Sequence, residues 1–195
     1  MGYFNNALTF LISTFVGLYI LAVLLRFLFQ LFRADFHNPF SQFILKITTP
    51  ALQPLRKIIP GMKGIDWPAL VLLFVLQLAL LILIGLLQNH IPPVGNLIIL
   101  TIASLIKLTI YVLIFALFIS FVLSWVAPGT YNYMTSILSS LTEPILTPIR
   151  RRLPSTGGID FSLLIALILL QLLLMLVVQP LMDLGYGRLA LSAVN

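Results

Sequence analysis

Four stretches of the chain, residues 7–32, 67–87, 97–126 and 161–182, run almost without interruption through Leu, Ile, Val and Phe. Each exceeds the ~18 apolar residues a helix needs to cross a bilayer, whereas a buried strand would end after about 4–8. In hydrocarbon every backbone N–H and C=O has to be satisfied within the protein, which leaves helices and closed barrels. Barrel strands alternate lipid-facing and lumen-facing side chains, and no such alternation runs through these segments. The fold expected is therefore an all-α membrane protein with four transmembrane helices. Composition agrees. Of 195 residues 61% are hydrophobic and 8% charged, where a soluble domain carries roughly 25% charge.

The few charges are placed unevenly. Arg33, Lys46, Arg56, Lys57 and Lys63 fall in the first connection, none in residues 88–96, and Arg150, Arg151 and Arg152 in the third. The positive-inside rule then puts the two long connections in the cytoplasm and both termini outside, as in a multi-pass protein of a bacterial inner membrane. Arg188 in the tail weighs the other way. Residues 1–6 hold no Lys or Arg, unlike the basic leader of a signal peptide, so the first span is expected to stay in the mature protein.

The chain also repeats itself. PALQPLRKIIPGMKGID, from Pro50, lies without gaps over PILTPIRRRLPSTGGID, from Pro144, at an offset of 94 residues, and eight of the seventeen positions are identical. That is too many for composition to supply in a stretch this polar, so the chain reads as a duplicated two-helix unit, residues 1–94 and 95–195. Both copies run out, in and out again, which gives parallel topology and an approximate two-fold axis along the membrane normal. The same offset sets Gln77 over Gln171, each the ninth residue of a 19-residue apolar run. Both amides are expected near the bilayer midplane. There they either pair with one another, pack in a helix contact, or line a path.

Ahead of the repeated motif, Phe40, Phe43, Ile44 and Ile47 share one helical face, as do Met134, Ile137, Leu138 and Leu141 in the second copy. A short amphipathic helix just inside the membrane is expected in each half, with Asn38 or Ser41 capping the first. Proline lacks the N–H and disfavours helix in the residue before it, so Pro50 and Pro54 should end the regular hydrogen bonding. A basic turn comes next in each copy, LRKII fenced by Pro54 and Pro60, or IRRRL fenced by Pro148 and Pro154.

Two readings of its cations, Arg56, Lys57, Arg150, Arg151 and Arg152, stand side by side. They anchor to anionic headgroups at ~1 kcal/mol each, or the rigid elbow docks a membrane-protein partner. Gly64 and Asp66, matched by Gly158 and Asp160, precede the next span. The aspartate is suited to cap the helix and the glycine to adopt a positive φ, while the alternative for the carboxylate pair is proton relay or ion binding.

Arg26 and Lys107 are the ionised residues inside apolar runs, where an unpaired charge costs ~2.5–3.5 kcal/mol at the membrane centre. Both sit where a shift in the span's register would bring them to an edge, and snorkelling would then serve. For Lys107 the alternative is a buried pair with Asp183. Little remains for catalysis. There is no cysteine, there are five acidic residues, and His37 and His90 lie in connections on opposite sides. No HExxH, serine-nucleophile or glycine-rich phosphate pattern occurs. No enzyme activity, cofactor or metal is expected, and the basic clusters are too short to suggest nucleic acid.

The run DFHNPFSQFILKITTPALQPLRKIIPGMKGID, residues 35–66, together with the second copy TEPILTPIRRRLPSTGGIDFS, closely resembles the bacterial YggT family with its YlmG and chloroplast relatives. The resemblance covers nearly the whole chain, though the second copy shows TYNYMTS in place of NPFSQ. It implies roles in osmotic stress and potassium homeostasis, in division, or in complex assembly such as haem attachment to a cytochrome b. On this basis the chain is expected to be a non-enzymatic inner-membrane scaffold that binds anionic lipid and a membrane protein and forms a homo-oligomer. The alternative is a component of a potassium or osmotic transport system.

Overall fold

Among the residues that the computed structural model describes, 2–61, 64–126, 132–152 and 161–187, six helices follow one another. They are α1 (Gly2–Leu31), α2 (Pro39–Ile58), α3 (Trp67–Leu87), α4 (Val94–Val126), α5 (Tyr133–Arg150) and α6 (Phe161–Gly185). By length and composition α1, α3, α4 and α6 can each cross a membrane. Their outer faces carry Phe10, Phe15, Val75, Phe115, Ile168 and Leu176 in the open, as expected of helices whose surroundings are lipid. The α1–α3 pattern recurs as α4–α6, so the four expected spans and the two-fold repeat of helix types are both present.

The amphipathic helices differ from expectation in length. α2 runs through Pro50 and Pro54, and α5 through Pro144 and Pro148, so the prolines do not end them and no proline-fenced turn forms between Pro54 and Pro60. Four residues apart, the two prolines of each helix lie on one face, and all four are exposed. The carbonyls left without donors therefore meet the surroundings instead of the core, and the opposite face holds the helix in place. In α2 that face is Ser41, Ile44, Thr48 and Leu52; in α5 it includes Ile137, Leu138, Leu141 and Leu146. Arg56 and Lys57 thus occupy the last turn of α2, and Arg150 that of α5.

Within each half the two spans pack on one another and on their amphipathic helix. One apolar cluster joins α1, α2 and α3 to Ala116 of α4 and Leu138 of α5; a second joins α4, α5 and α6 through Leu117, Leu146 and Leu170. The halves meet chiefly along α3 and α4. A closed two-fold would pack α6 against α1 in the same way, and no comparable seam exists there among the described residues. The burial of α1 shows the consequence: from Ile20 to Phe29 it is largely covered, while its N-terminal part stands open.

In α6 a π-helical turn at Leu174–Val178, where Gln179 N–H bonds Leu174 O, precedes Pro180 and shifts the register of the last turns. Gly185 is thereby brought onto α4, where an added Cβ would lie 2.6 Å from Leu100 Cγ and Cδ2. Gly185→Ala should require only that the Leu100 side chain move. Gly185→Val should cost about 1–3 kcal/mol by overpacking, read as a lower thermal midpoint in detergent.

Candidate functional site

The junction of α2 with α3 gathers the polar residues of the first repeat. Gly64 adopts φ 80°, the left-handed region that favours glycine, and turns the chain into Asp66. Asp66 is 2% exposed. It caps α3, Oδ1 accepting from Ala69 N–H at 3.3 Å, while Oδ2 forms an ion pair with Arg56 from the end of α2. The carboxylate therefore fixes the angle between the amphipathic helix and the span that follows it. Arg26 reaches the same helix from α1 and is 4% exposed, so snorkelling does not describe it. Its Nη1 donates to Thr48 Oγ1 at 2.9 Å, Thr49 Oγ1 at 3.0 Å and, at the limit of bonding, Leu45 O at 3.4 Å. Thr48 in turn donates to Ile44 O at 2.6 Å.

A third contact holds the two repeats together. Asn38, 1% exposed, caps α2 by accepting from Phe40 N–H, and its amide donates to Tyr133 O at the start of α5 over 2.5 Å. At the offset of 94 Asn38 corresponds to Asn132, which caps α5 by accepting from Met134 and Thr135 N–H, with Thr135 completing a capping box. The second copy therefore keeps the capping asparagine of NPFSQ, although the letters around it differ.

The basic residues divide into two groups. Arg56 is held by Asp66, and Arg150 pairs with Glu143 at 2.8 Å, both partners roughly half exposed. Lys57, Arg151 and Arg152 are exposed and form no ion pair among the described residues. Pro54 and Pro148 stand on the outer faces of α2 and α5, and Pro60 follows the end of α2. Pro154, Gly158 and Asp160 lie outside the described residues.

The polar residues of the spans separate as well. Gln77, the midpoint of α3, and Lys107 line one cleft of about 480 Å³ together with Ser13, Thr14, Ser104 and Tyr111. Lys107 Nζ stands 5.7 Å from the centre of the Tyr111 ring, within cation–π range, and no Lys107–Asp183 pair occurs among the described residues. Lys107 and Gln77 therefore face one another across α3 and α4. Gln171 is on the outer face of α6, so the two amides do not pair despite their equivalent positions in the repeat.

The profile of the CCB3/YggT family matches twice, at residues 5–87 and 99–181, an offset of 94 like that of the motif. The chain belongs to the CCB3/YggT family. It is 47% identical over 181 residues to the uncharacterised protein PA0392 of Pseudomonas aeruginosa, covering 91% of each chain. It is 40% identical over 183 residues to the uncharacterised protein YggT of Escherichia coli K12, covering 92% of this chain and 94% of that one. A Vibrio alginolyticus protein described as uncharacterised, in the proC 3′ region, is 43% identical over 169 residues, 85% of this chain and 90% of its own. No solved structure matches the chain.

In this YggT-family chain, then, the residues shared by both motifs are largely structural in the first copy. Arg56 and Asp66 form one ion pair, and Gly64 sets the turn between them. Sequence reasoning missed the Arg56–Asp66 pair and the acceptors of Arg26. The available signal was weak: two adjacent threonines in the middle of an amphipathic helix, one of them on its apolar side.

Proposed function

We propose that the chain is a non-enzymatic scaffold of a bacterial inner membrane. In this reading α2 and α5 lie at the cytoplasmic face and present Lys57, Arg151 and Arg152 to anionic lipid and to a membrane-protein partner. The observation that carries the proposal is that these three cations lie at the C-terminal ends of two amphipathic helices packed on the spans and form no ion pairs among the described residues, while neighbouring Arg56 and Arg150 have acidic partners. Cations without internal partners are the ones able to attract headgroups, at about 1 kcal/mol each, or a complementary protein surface. Envelope or osmotic stress, assembly of a cofactor-bearing complex, and division are the settings that the family resemblance supplies for such a scaffold.

A second reading, as part of a potassium or osmotic transport system, draws on the cleft that holds Gln77. Lys107 in the same cleft argues against a cation as cargo. At 4 Å and an effective dielectric near 20, two like unit charges repel by about 4 kcal/mol. Gln171 is outside the cleft, and four spans from one chain do not enclose a pore, so transport would also call for an oligomer.

Photo-crosslinking in living cells tests the scaffold. A probe at Arg151 is expected to capture one discrete protein, and the same probe at Gln88, at the opposite end of α3, is expected not to. Capture of lipid alone from Arg151 would reduce the basic helix ends to topology anchors.

A further inference from the structure

The cleft between α1, α3, α4 and α6 has a chemistry that neither docking at the basic helix ends nor cation transport uses. Its polar wall consists of hydroxyls, an amide and one amine: Ser13 and Thr14 from α1, Gln77 from α3, and Ser104, Lys107 and Tyr111 from α4. All carry a donor, that of Ser13 being spent on Phe10 O at 3.0 Å, and the single ionisable cation among them is Lys107. The acids among the described residues do not neutralise it. Asp35, Asp66 and Glu143 are engaged with His37, Arg56 and Arg150, and Asp183 forms no ion pair with Lys107. What Lys107 has is the face of the Tyr111 ring.

The surrounding packing is arranged around this space. The buried residues of α4 run through Leu97, Leu100, Thr101 and Ala103 and resume at Ile110, while residues 104–109 between them are half-buried, and of these Ser104, Lys107 and Leu108 border the cleft. On the other side α1 contributes Ser13, the repeat equivalent of Lys107, from the part of the helix that α6 leaves uncovered. Equivalent positions of the two repeats thus converge on one site and have diverged there in charge. Leu18, Leu21, Leu108 and Met182 complete the wall with apolar surface. A cleft that sets one cation and several donors among apolar side chains is complementary to an anionic oxygen group on a hydrocarbon chain.

We propose that this cleft is an intramembrane anion site, in which Lys107 and the hydroxyls of Thr14 and Ser104 receive the carboxylate or phosphate group of an amphiphile entering sideways from the lipid. A free inorganic anion offers the same chemistry to the polar side chains and is separated from the amphiphile by competition. The site is independent of what docks at α2 and α5.

Full-length protein in dodecyl maltoside, a detergent with no charge or phosphate, is titrated with cis-parinaric acid, followed by energy transfer from tryptophan. Saturable binding is expected, weakened about tenfold or more by Lys107→Leu and largely kept by Lys107→Arg, since a charge-assisted bond to the carboxylate is lost in the first and replaced in the second. Parinaryl alcohol should bind the wild type as weakly as the acid binds Lys107→Leu, which separates a charge effect from a packing effect. Displacement by millimolar inorganic phosphate would assign the site to a free anion, and resistance to phosphate to the amphiphile. Should Lys107→Leu fail to purify as a monodisperse protein, Ser104→Phe, which fills the cleft and keeps the charge, should show the same loss. Equal binding of acid and alcohol by the wild type, or undiminished binding in the purified variant, overturns the proposal.

Discussion

Arg56→Gln is expected to destabilise the protein more than Asp66→Asn does, although both remove the same ion pair. The asymmetry arises from burial: the Arg56 side chain is 43% exposed and that of Asp66 2%. When Asp66 is replaced, Arg56 turns to its surroundings and is solvated. When Arg56 is replaced, a carboxylate stays buried with the capping hydrogen bond from Ala69 N–H as its remaining described partner, and breaking a buried pair from that side costs about 3–5 kcal/mol. Asp66→Asn keeps an acceptor for the α3 cap and should cost roughly 1–2 kcal/mol. Asp66→Ala loses the cap as well and should cost about 1 kcal/mol more. Thermal midpoints in one detergent check the order. If Arg56→Gln matched the wild type, the ion pair would not be what sets α2 against α3. The practical consequence is that neutralising every basic residue of the motif at once confuses folding with function. Lys57, Arg151 and Arg152 are the positions at which a loss of phenotype can be read as a loss of docking.

Much of this arrangement is legible in the sequence, and the failures share a physical cause. Apolar length alone gave four spans, and an ungapped match at a fixed offset gave the duplication, because both signals are local and each is longer than chance allows. The prolines misled because their cost depends on which face they occupy. Pro50 and Pro54 would break a helix whose back was buried, and it is tertiary packing of Ile44, Thr48 and Leu52 that turns the proline face outward. Gln77 and Gln171 hold equivalent positions in the repeat, but position along a helix does not fix direction. α3 is flanked by both α1 and α4, while α6 lacks a packed seam with α1 among the described residues, so Gln77 meets a cleft and Gln171 an open face. The register of Lys107 was open for a similar reason, since a long α4 allows more than one placement until its neighbour across the cleft is known. In the cap of α3, by contrast, Gly64 and Asp66 behave as their types and spacing suggest, because capping is a local interaction.

The largest effect is expected where a buried charge loses its acceptors rather than where the charge itself is removed. In Thr48→Val with Thr49→Val the helix loses no backbone bond and each change is close to isosteric, yet Arg26 Nη1 loses its two side-chain acceptors and keeps only the long contact to Leu45 O. Arg26 Nε is already buried with no hydrogen-bond partner among the described residues, so the guanidinium has little left to offset its desolvation. The double variant should lose about 3–5 kcal/mol, the range for a buried charge left uncompensated. Arg26→Met should cost clearly less. The methionine fills most of the stem's volume, and the two threonine hydroxyls keep the bonds they donate to Ile44 O and Leu45 O, so no buried polar group is stranded. Combining all three substitutions should restore stability toward that of Arg26→Met alone, a strongly non-additive cycle of the kind that identifies direct contact. Additive losses would mean that Arg26 is satisfied from elsewhere and that its two threonine bonds do not hold α1 to α2.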